Sequence, residues 1–300
     1  MNRTSNMYHK LPSSLRSFLA KNELTSKIVN HVKINVVYRN EKLFVKGFEK
    51  AKSSDKTVLF FTVHKCASVY VESILKILAK DEGLIHLNLE NYFTEVGQPV
   101  QNPEVESRNI GQLFRRNGYL YGPFRIPHRW SIPSFEEYKV LLMLRDPRDV
   151  LTSLYFSRAY SHSLATSQVS KFQIKQREEA LSKSIDQWVL DTALEYVRRY
   201  QFYCDNFLSH PNVFFVRYED MVASFDIWLE NVVDFLEFDD VKSKTLQKIL
   251  NDSDFEVGAE NIYSHKRQVQ PGDHLRKLQP ETINKLNILF GDLLNKFGYS

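Results

Sequence analysis

The sequence predicts an α/β fold: a parallel, mainly doubly wound sheet flanked by helices. Three stretches carry that prediction, each a short, nearly continuous apolar run followed by a turn and then apolar residues at helical spacing. Residues 57–63, TVLFFTV, lead to Val71, Ile74, Leu75 and Leu78; residues 138–144, YKVLLML, lead to Val150, Leu151, Leu154 and Tyr155; residues 213–216, VFFV, lead to a helical pattern beyond Ser224. Runs that are apolar on both faces suit strands covered on both sides, as in parallel sheets. Such sheets bind ligands beyond the carboxyl ends of their strands.

Composition bounds the rest. With 300 residues, 43% hydrophobic and 25% charged, the chain can bury the core of one large or two small domains. No run approaches the ~18 apolar residues needed to cross a bilayer, and MNRTSNMYHKLPSSL at the start lacks the apolar centre of a signal peptide. Cys66 and Cys204 allow at most one disulfide, so a reducing, cytoplasmic compartment is expected. Residues 1–56 hold twelve Lys or Arg against four acids, a net +8, which leaves −4 for the remainder of a chain whose total is +4. The chain therefore divides into a basic N-terminal extension, 1–56, and a globular domain, 57–300. The extension either packs on the core through Phe18, Ile28, Val36 and Phe44 or makes peripheral contact with an anionic surface. No feature points to specific nucleic-acid recognition, and the oligomeric state has no signature.

In order, residues 13–32 have patchy helical spacing and 33–48 read as short strands or loop. The strand at 57–63 and the helix through Leu78 follow. Residues 81–118 are polar and interrupted by glycine and proline, a short helix plus surface loops covering one side of a cleft. Residues 118–124, GYLYGPF, form a candidate strand before the one at 138–144. Residues 157–176 are polar and serine-rich, and a long helix is predicted over about 178–208, with an aromatic stripe of core character and Pro211 as its break. Ser224 is placed to cap a helix ending near Leu236, and another is predicted over 240–251. Pro280 at the first helical position opens a last helix with Ile283, Leu286, Phe290, Leu293 and Phe297 as its apolar stripe and Gly298 as its stop.

The turn after the first strand carries His64, Lys65, Cys66, Ala67 and Ser68. Backbone N–H groups in such a turn, with the start of the next helix and a lysine, make a ready site for phosphate or sulfate. The nucleotide-triphosphatase loop G-x-x-x-x-G-K-[ST] is excluded, because no glycine precedes this lysine. G-x-G-x-x-G, G-x-S-x-G and H-E-x-x-H are also absent, which removes the main dehydrogenase, hydrolase and zinc-protease signatures. Nine scattered histidines and two distant cysteines give no metal-ligand spacing, so no metal is expected.

Five segments, in order, resemble motifs of the sulfotransferases that use 3′-phosphoadenosine-5′-phosphosulfate (PAPS), in their cytosolic type. Lys65, Cys66, Ala67, Ser68, Val69 and Tyr70 match the 5′-phosphosulfate loop P-K-S-G-T-T-W, with His64 for proline, Ala67 for glycine and Val69 for threonine as departures. Arg145 and Ser153, eight apart in RDPRDVLTS, match the 3′-phosphate motif R-N-P-K-D-x-x-x-S. Tyr218 stands in the Y-E-D segment, Ser253 and Phe255 in the T-S-F-E segment, and Arg267 in the late R-K-G-x-x-G-D loop, where Gln268 and Val269 replace the K-G pair. The resemblance implies a P-loop-like sulfotransferase fold. It also implies that Tyr218 and Phe255 lie against adenine and that Arg267 meets the 3′-phosphate.

The activity that the resemblance implies is transfer of a sulfuryl group from PAPS to a hydroxyl or amine of a small-molecule, glycan or lipid acceptor, without a metal. The alternative is a sulfotransferase-fold module that binds the nucleotide or an anionic partner with little or no turnover. The general base separates the two. The family's histidine lies about twenty-two residues before the 3′-phosphate arginine, and counting back from Arg145 reaches Pro123. His128 is the nearby candidate, with Lys65 as the other catalytic residue; His265 or a carboxylate is the substitute.

Overall fold

The computed structural model describes residues 28, 30–48, 50–96, 113–127, 132–161, 169–253, 255, 260–263 and 267–299. In chain order the elements are α1 (Arg39–Val45), β1 (Val58–Thr62), α2 (Ser68–Asp81), β2 (Ile85–Leu87), α3 (Leu89–Glu95), β3 (Tyr119–Phe124), β4 (Lys139–Leu144), α4 (Pro147–Phe156), α5 (Val169–Leu181), α6 (Ile185–Asn206) and β5 (Val213–Arg217). After β5 come α7 (Tyr218–Ala223), α8 (Phe225–Leu236), α9 (Ser243–Asn251), α10 (Asp273–Lys277), α11 (Pro280–Phe290) and α12 (Asp292–Lys296).

All five strands are parallel, in the order β2-β3-β1-β4-β5. The first predicted strand is thus the centre of the sheet, and every residue of β1, β3 and β4 is buried. Helices on both faces explain why these strands carry apolar side chains at every position. Gly122 in β3 adopts φ 121°, and a Cβ there would meet the Phe60 carbonyl oxygen at 2.5 Å. Only glycine permits that approach, which lies beside a register shift between β1 and β3.

Local chemistry sets the helix ends. Asp146 caps α4, its side chain accepting from the Arg148 N–H at 2.9 Å, with Pro147 in the first turn. α6 lies over the carboxyl side of the sheet: the Tyr203 hydroxyl donates to the Thr62 carbonyl at 2.7 Å, and the Tyr200 hydroxyl to the Arg145 carbonyl.

Several expectations need correction. Within 33–48, read as short strands or loop, the chain is helical up to Val45, a π-helical turn (Lys33–Val37) running into α1, and only the last residues are turn. Glu41 and Phe44 recur at helical spacing and are buried, Glu41 accepting from the Asn88 N–H at 2.8 Å and Phe44 packing 5.2 Å from the Tyr119 ring. Ile28, by contrast, is 56% exposed, and Phe18 lies outside the described residues. Within 81–118 the short helix is α3, and the reading missed β2, whose three residues are too short to show a period. The long helix over 178–208 is two helices, because Ser184 caps α6 by accepting from the Gln187 N–H at 3.2 Å. Its partner α5 reaches into the stretch read as a polar loop. The last helix stops at Phe290, where Gly291 turns the chain with φ 46°, and α12 follows.

Candidate functional site

The loop after β1 closes tightly onto α2 with no glycine in it. Lys65 and Ala67 both take positive φ, 67° and 48°, a backbone region that costs a non-glycine residue about 1–2 kcal/mol. Such conformations persist where surrounding structure enforces them, often at functional sites. The turn leaves first-turn N–H groups of α2 facing outward from the carboxyl edge of the sheet. Cys66 points inward, its thiol 3.5 Å from the Met143 carbonyl, and burial pushes its pKa up to about 12. Val69 is 57% exposed, an apolar side chain in a position where the predicted loop carries a hydroxyl. The Ser68 hydroxyl is buried and accepts from Arg125 Nε at 3.1 Å.

Lys65 is half-buried, and among the described residues no carboxylate pairs with it. Burial, then the charges of Arg145 and Arg267, lower its pKa to about 8. Three cations thus face one another at the loop, as expected of a site built for an anion.

The carboxyl end of β4 supplies the second half. Arg145 is 3% exposed; its Nη1 donates to the Lys65 carbonyl at 3.3 Å, its Nη2 to Asp149 at 3.3 Å, and its guanidinium lies 4.4 Å from the Tyr218 ring centroid. Its buried Nε has no partner among the described residues. Fully buried Asp149 accepts from Arg145, from the Gly272 N–H at 2.8 Å, and from the N–H and Nδ1 of His274 at 2.9 and 2.6 Å. Burial alone would raise this carboxyl, but the hydrogen bonds from His274 and the charge of Arg145 overcome it and hold the group well below the usual range. Asp149 thereby ties β4 to the loop before α10. Arg148 serves structure, binding Asp146 and reaching Asn287 at 2.7 Å.

Lys65, Ser153, Phe156, Ser157, Ser161, Arg267 and Gln268 line one cavity of about 20 Å³. That is room for a water-sized group, so a nucleotide needs these side chains to part. Arg267 is held meanwhile: its guanidinium pairs with Glu260 and Asp273 and lies 4.2 Å from the Phe156 ring centroid. Nearby, the Phe255 ring stands edge-on to Tyr70 at 5.6 Å and 5.1 Å from Phe225, which stacks on Trp228 at 5.8 Å. Tyr218 sits under Arg145, and its hydroxyl donates to the Val269 carbonyl at 2.6 Å. Ser253 closes α9, donating to the Leu250 carbonyl at 2.6 Å. His128 and His265 lie outside the described residues.

The family model described as the sulfotransferase domain matches residues 127–296, more than half of the chain. The chain belongs to the sulfotransferase family. No curated protein matches it in sequence. Among solved structures it resembles mouse sulfotransferase SULT7A1 complexed with PAP, with 14% identity, a TM-score of 0.50, and 82% of this chain and 86% of that one covered. Retinol dehydratase in complex with retinol and PAP is a more distant likeness, at 14% identity, a TM-score of 0.45, and 79% and 81% coverage. The described residues include no helix long and apolar enough to cross a membrane and no cluster of metal-binding groups.

Around these segments of the sulfotransferase the sequence reading missed four side chains. Arg125, at the end of β3, binds Ser68 and pairs with Glu90 at 3.2 Å. Arg199 of α6 reaches His64 Nδ1 and the Arg125 carbonyl, both at 3.5 Å. Phe225 completes the aromatic cluster. Glu219 accepts from the Asp146 N–H at 3.0 Å, and burial pushes its carboxyl up to about 7. Arg125 could have been noticed as a charge straight after a buried strand; the others depend on tertiary packing that no local pattern encodes.

Proposed function

We propose that this sulfotransferase moves a sulfuryl group from PAPS to a hydroxyl or amine of a small-molecule, glycan or lipid acceptor. The observation that carries the reading is the convergence of Lys65, Ser153 and Arg267, from three distant segments, on one cavity, with Arg145, whose Nε is orphaned among the described residues, bonded to the carbonyl of Lys65. A buried guanidinium N–H without a partner costs about 1–3 kcal/mol unless a ligand satisfies it. A phosphate oxygen fits that demand and the cationic surroundings of Lys65. In the reaction the acceptor oxygen or nitrogen bonds to sulfur while the bond from sulfur to the 5′-phosphate oxygen breaks. The acceptor proton goes to a base, and the charge left on the 5′-phosphate is met by Lys65 and the amides of Cys66 to Val69, the Tyr70 N–H being held by the Ala67 carbonyl.

Calorimetry with 3′-phosphoadenosine 5′-phosphate (PAP) and with AMP tests the donor. A charge-assisted contact contributes ~1.5–3 kcal/mol, so AMP should bind roughly ten- to a hundredfold more weakly. Equal affinities would remove the PAPS assignment.

The aromatic cluster makes a second expectation. Stacking of a base on an aromatic side chain is worth about 1–3 kcal/mol. Phe255→Ala should weaken PAP binding by roughly ten- to a hundredfold and leave the far-ultraviolet circular dichroism unchanged. Unaltered binding, or loss of the fold, would make Phe255 a core residue only.

One observation favours the alternative, a nucleotide-binding module without turnover. The residue at the end of β3 is Arg125, whose guanidinium cannot act as a general base. Sulfate transfer to any acceptor in a pooled panel of phenols, sterols and oligosaccharides would exclude it.

A further inference from the structure

The donor groups lie on one side of the sheet's centre. Arg145 ends β4, and Lys65 faces Arg145 and Arg267. Across β1, at the carboxyl end of β3, stands a second pair of buried cations, Arg125 and Arg199, 7% and 6% exposed. Arg125 holds the hydroxyl of Ser68 and is balanced by Glu90. Arg199 differs: its one carboxylate partner among the described residues, Glu195, is 52% exposed, so solvent screens that pair. Its buried Nε has no hydrogen-bond partner among the described residues, while Nη1 reaches the loop at His64. A cation serving only to stitch α6 to the loop would be expected to have its donors satisfied.

In-line transfer places the acceptor opposite the departing 5′-phosphate, and with the donor on the β4 side that is the β3 side. We propose that Arg199, supported by Arg125, forms an anion subsite for the acceptor, which carries a carboxylate or a comparable acidic group near the oxygen or nitrogen to be sulfated. The proposal rests on the sulfotransferase reading above and narrows its acceptor class. It also gives Arg125 a purpose at the end of β3: its bond to Ser68 keeps the loop and the subsite in register.

The test separates the subsite from the donor site. The full chain is saturated with PAP and titrated with benzoate and with benzamide, a neutral molecule of nearly the same shape, followed by nuclear magnetic resonance. The wild type should bind benzoate at least about tenfold more tightly than benzamide, the scale of a charge-assisted hydrogen bond. Arg199→Gln should bring the two within twofold while the chain stays folded by circular dichroism and still binds PAP, and Arg199→Lys should restore part of the preference. Equal binding of the two probes by the wild type, or a preference that survives Arg199→Gln, overturns the subsite. Failure to bind PAP overturns the donor reading instead, and the same pair of titrations without PAP then decides the subsite by its dependence on Arg199.

Discussion

Lys65→Ala lowers kcat by ~10²-fold or more, with a much smaller change in PAP affinity. The magnitude is that of removing one preorganised donor from a developing anion. As the sulfuryl group leaves, negative charge grows on the 5′-phosphate oxygen, and interactions that strengthen only then act on kcat more than on ground-state binding. Lys65 is placed for that role by the strained turn at the end of β1, and no carboxylate among the described residues competes for its ammonium. Its lowered pKa makes a further demand. In the uncomplexed protein the ammonium is lost as pH rises through about 8, so kcat/KM for the donor should fall above that pH. Single-turnover transfer from labelled donor, with an equilibrium Kd for the same variant, checks the split. A variant that transfers at the wild-type rate would reduce Lys65 to a solvated loop residue and favour the binding-module alternative.

The elements legible in the sequence are those whose signals are local. β1, β3 and β4 were readable because strands covered on both faces carry apolar side chains nearly throughout; β5 showed the same apolar run, VFFV, but it is an edge strand that the structure leaves only partly buried, which corrects its reading as a buried one. Arg145, Ser153 and Lys65 were readable because each sits at a fixed distance from a strand end. β2 was not, since three residues show no period and their pairing with β3 is a tertiary fact. Residues 33–48 were misread because Glu41, a charge at a helix position, is buried by a hydrogen bond to Asn88, forty-seven residues away. Tyr218 was singled out only by its resemblance to the Y-E-D segment; its ring is engaged by Arg145, a pairing of two motifs that neither motif announces alone. Arg199 escaped for the same reason: in sequence it is one charge on an aromatic helix, and only the packing of α6 against the loop gives it meaning.

Asp149→Ala is expected to unfold the protein more readily than any surface change, because the carboxylate is the hub of the donor side. Its loss strips partners from Arg145 Nη2, the Gly272 N–H and both donors of His274, around a carboxylate that is fully buried. Breaking a buried ion pair by removing one partner costs about 3–5 kcal/mol. For a chain of this size the melting temperature should drop by roughly 6–15 °C, taking about 2–3 °C per kcal/mol. Asp149→Asn, which keeps one acceptor oxygen but turns a donor toward the others, should fall between. The pH dependence gives an independent reading. The folded state holds the Asp149 carboxyl below its ordinary value, about 3.9 in the unfolded chain, so the unfolded state binds the proton more readily. The stabilisation is therefore present above about pH 5 and is lost progressively as pH falls below the unfolded value toward the depressed one. Wild-type stability should decline more steeply than that of Asp149→Ala on acidification through that window, the two curves converging at low pH. Parallel curves, or an unchanged melting temperature for the variant, would mean that Arg145, Gly272 and His274 find other partners and that the donor side stands without its carboxylate.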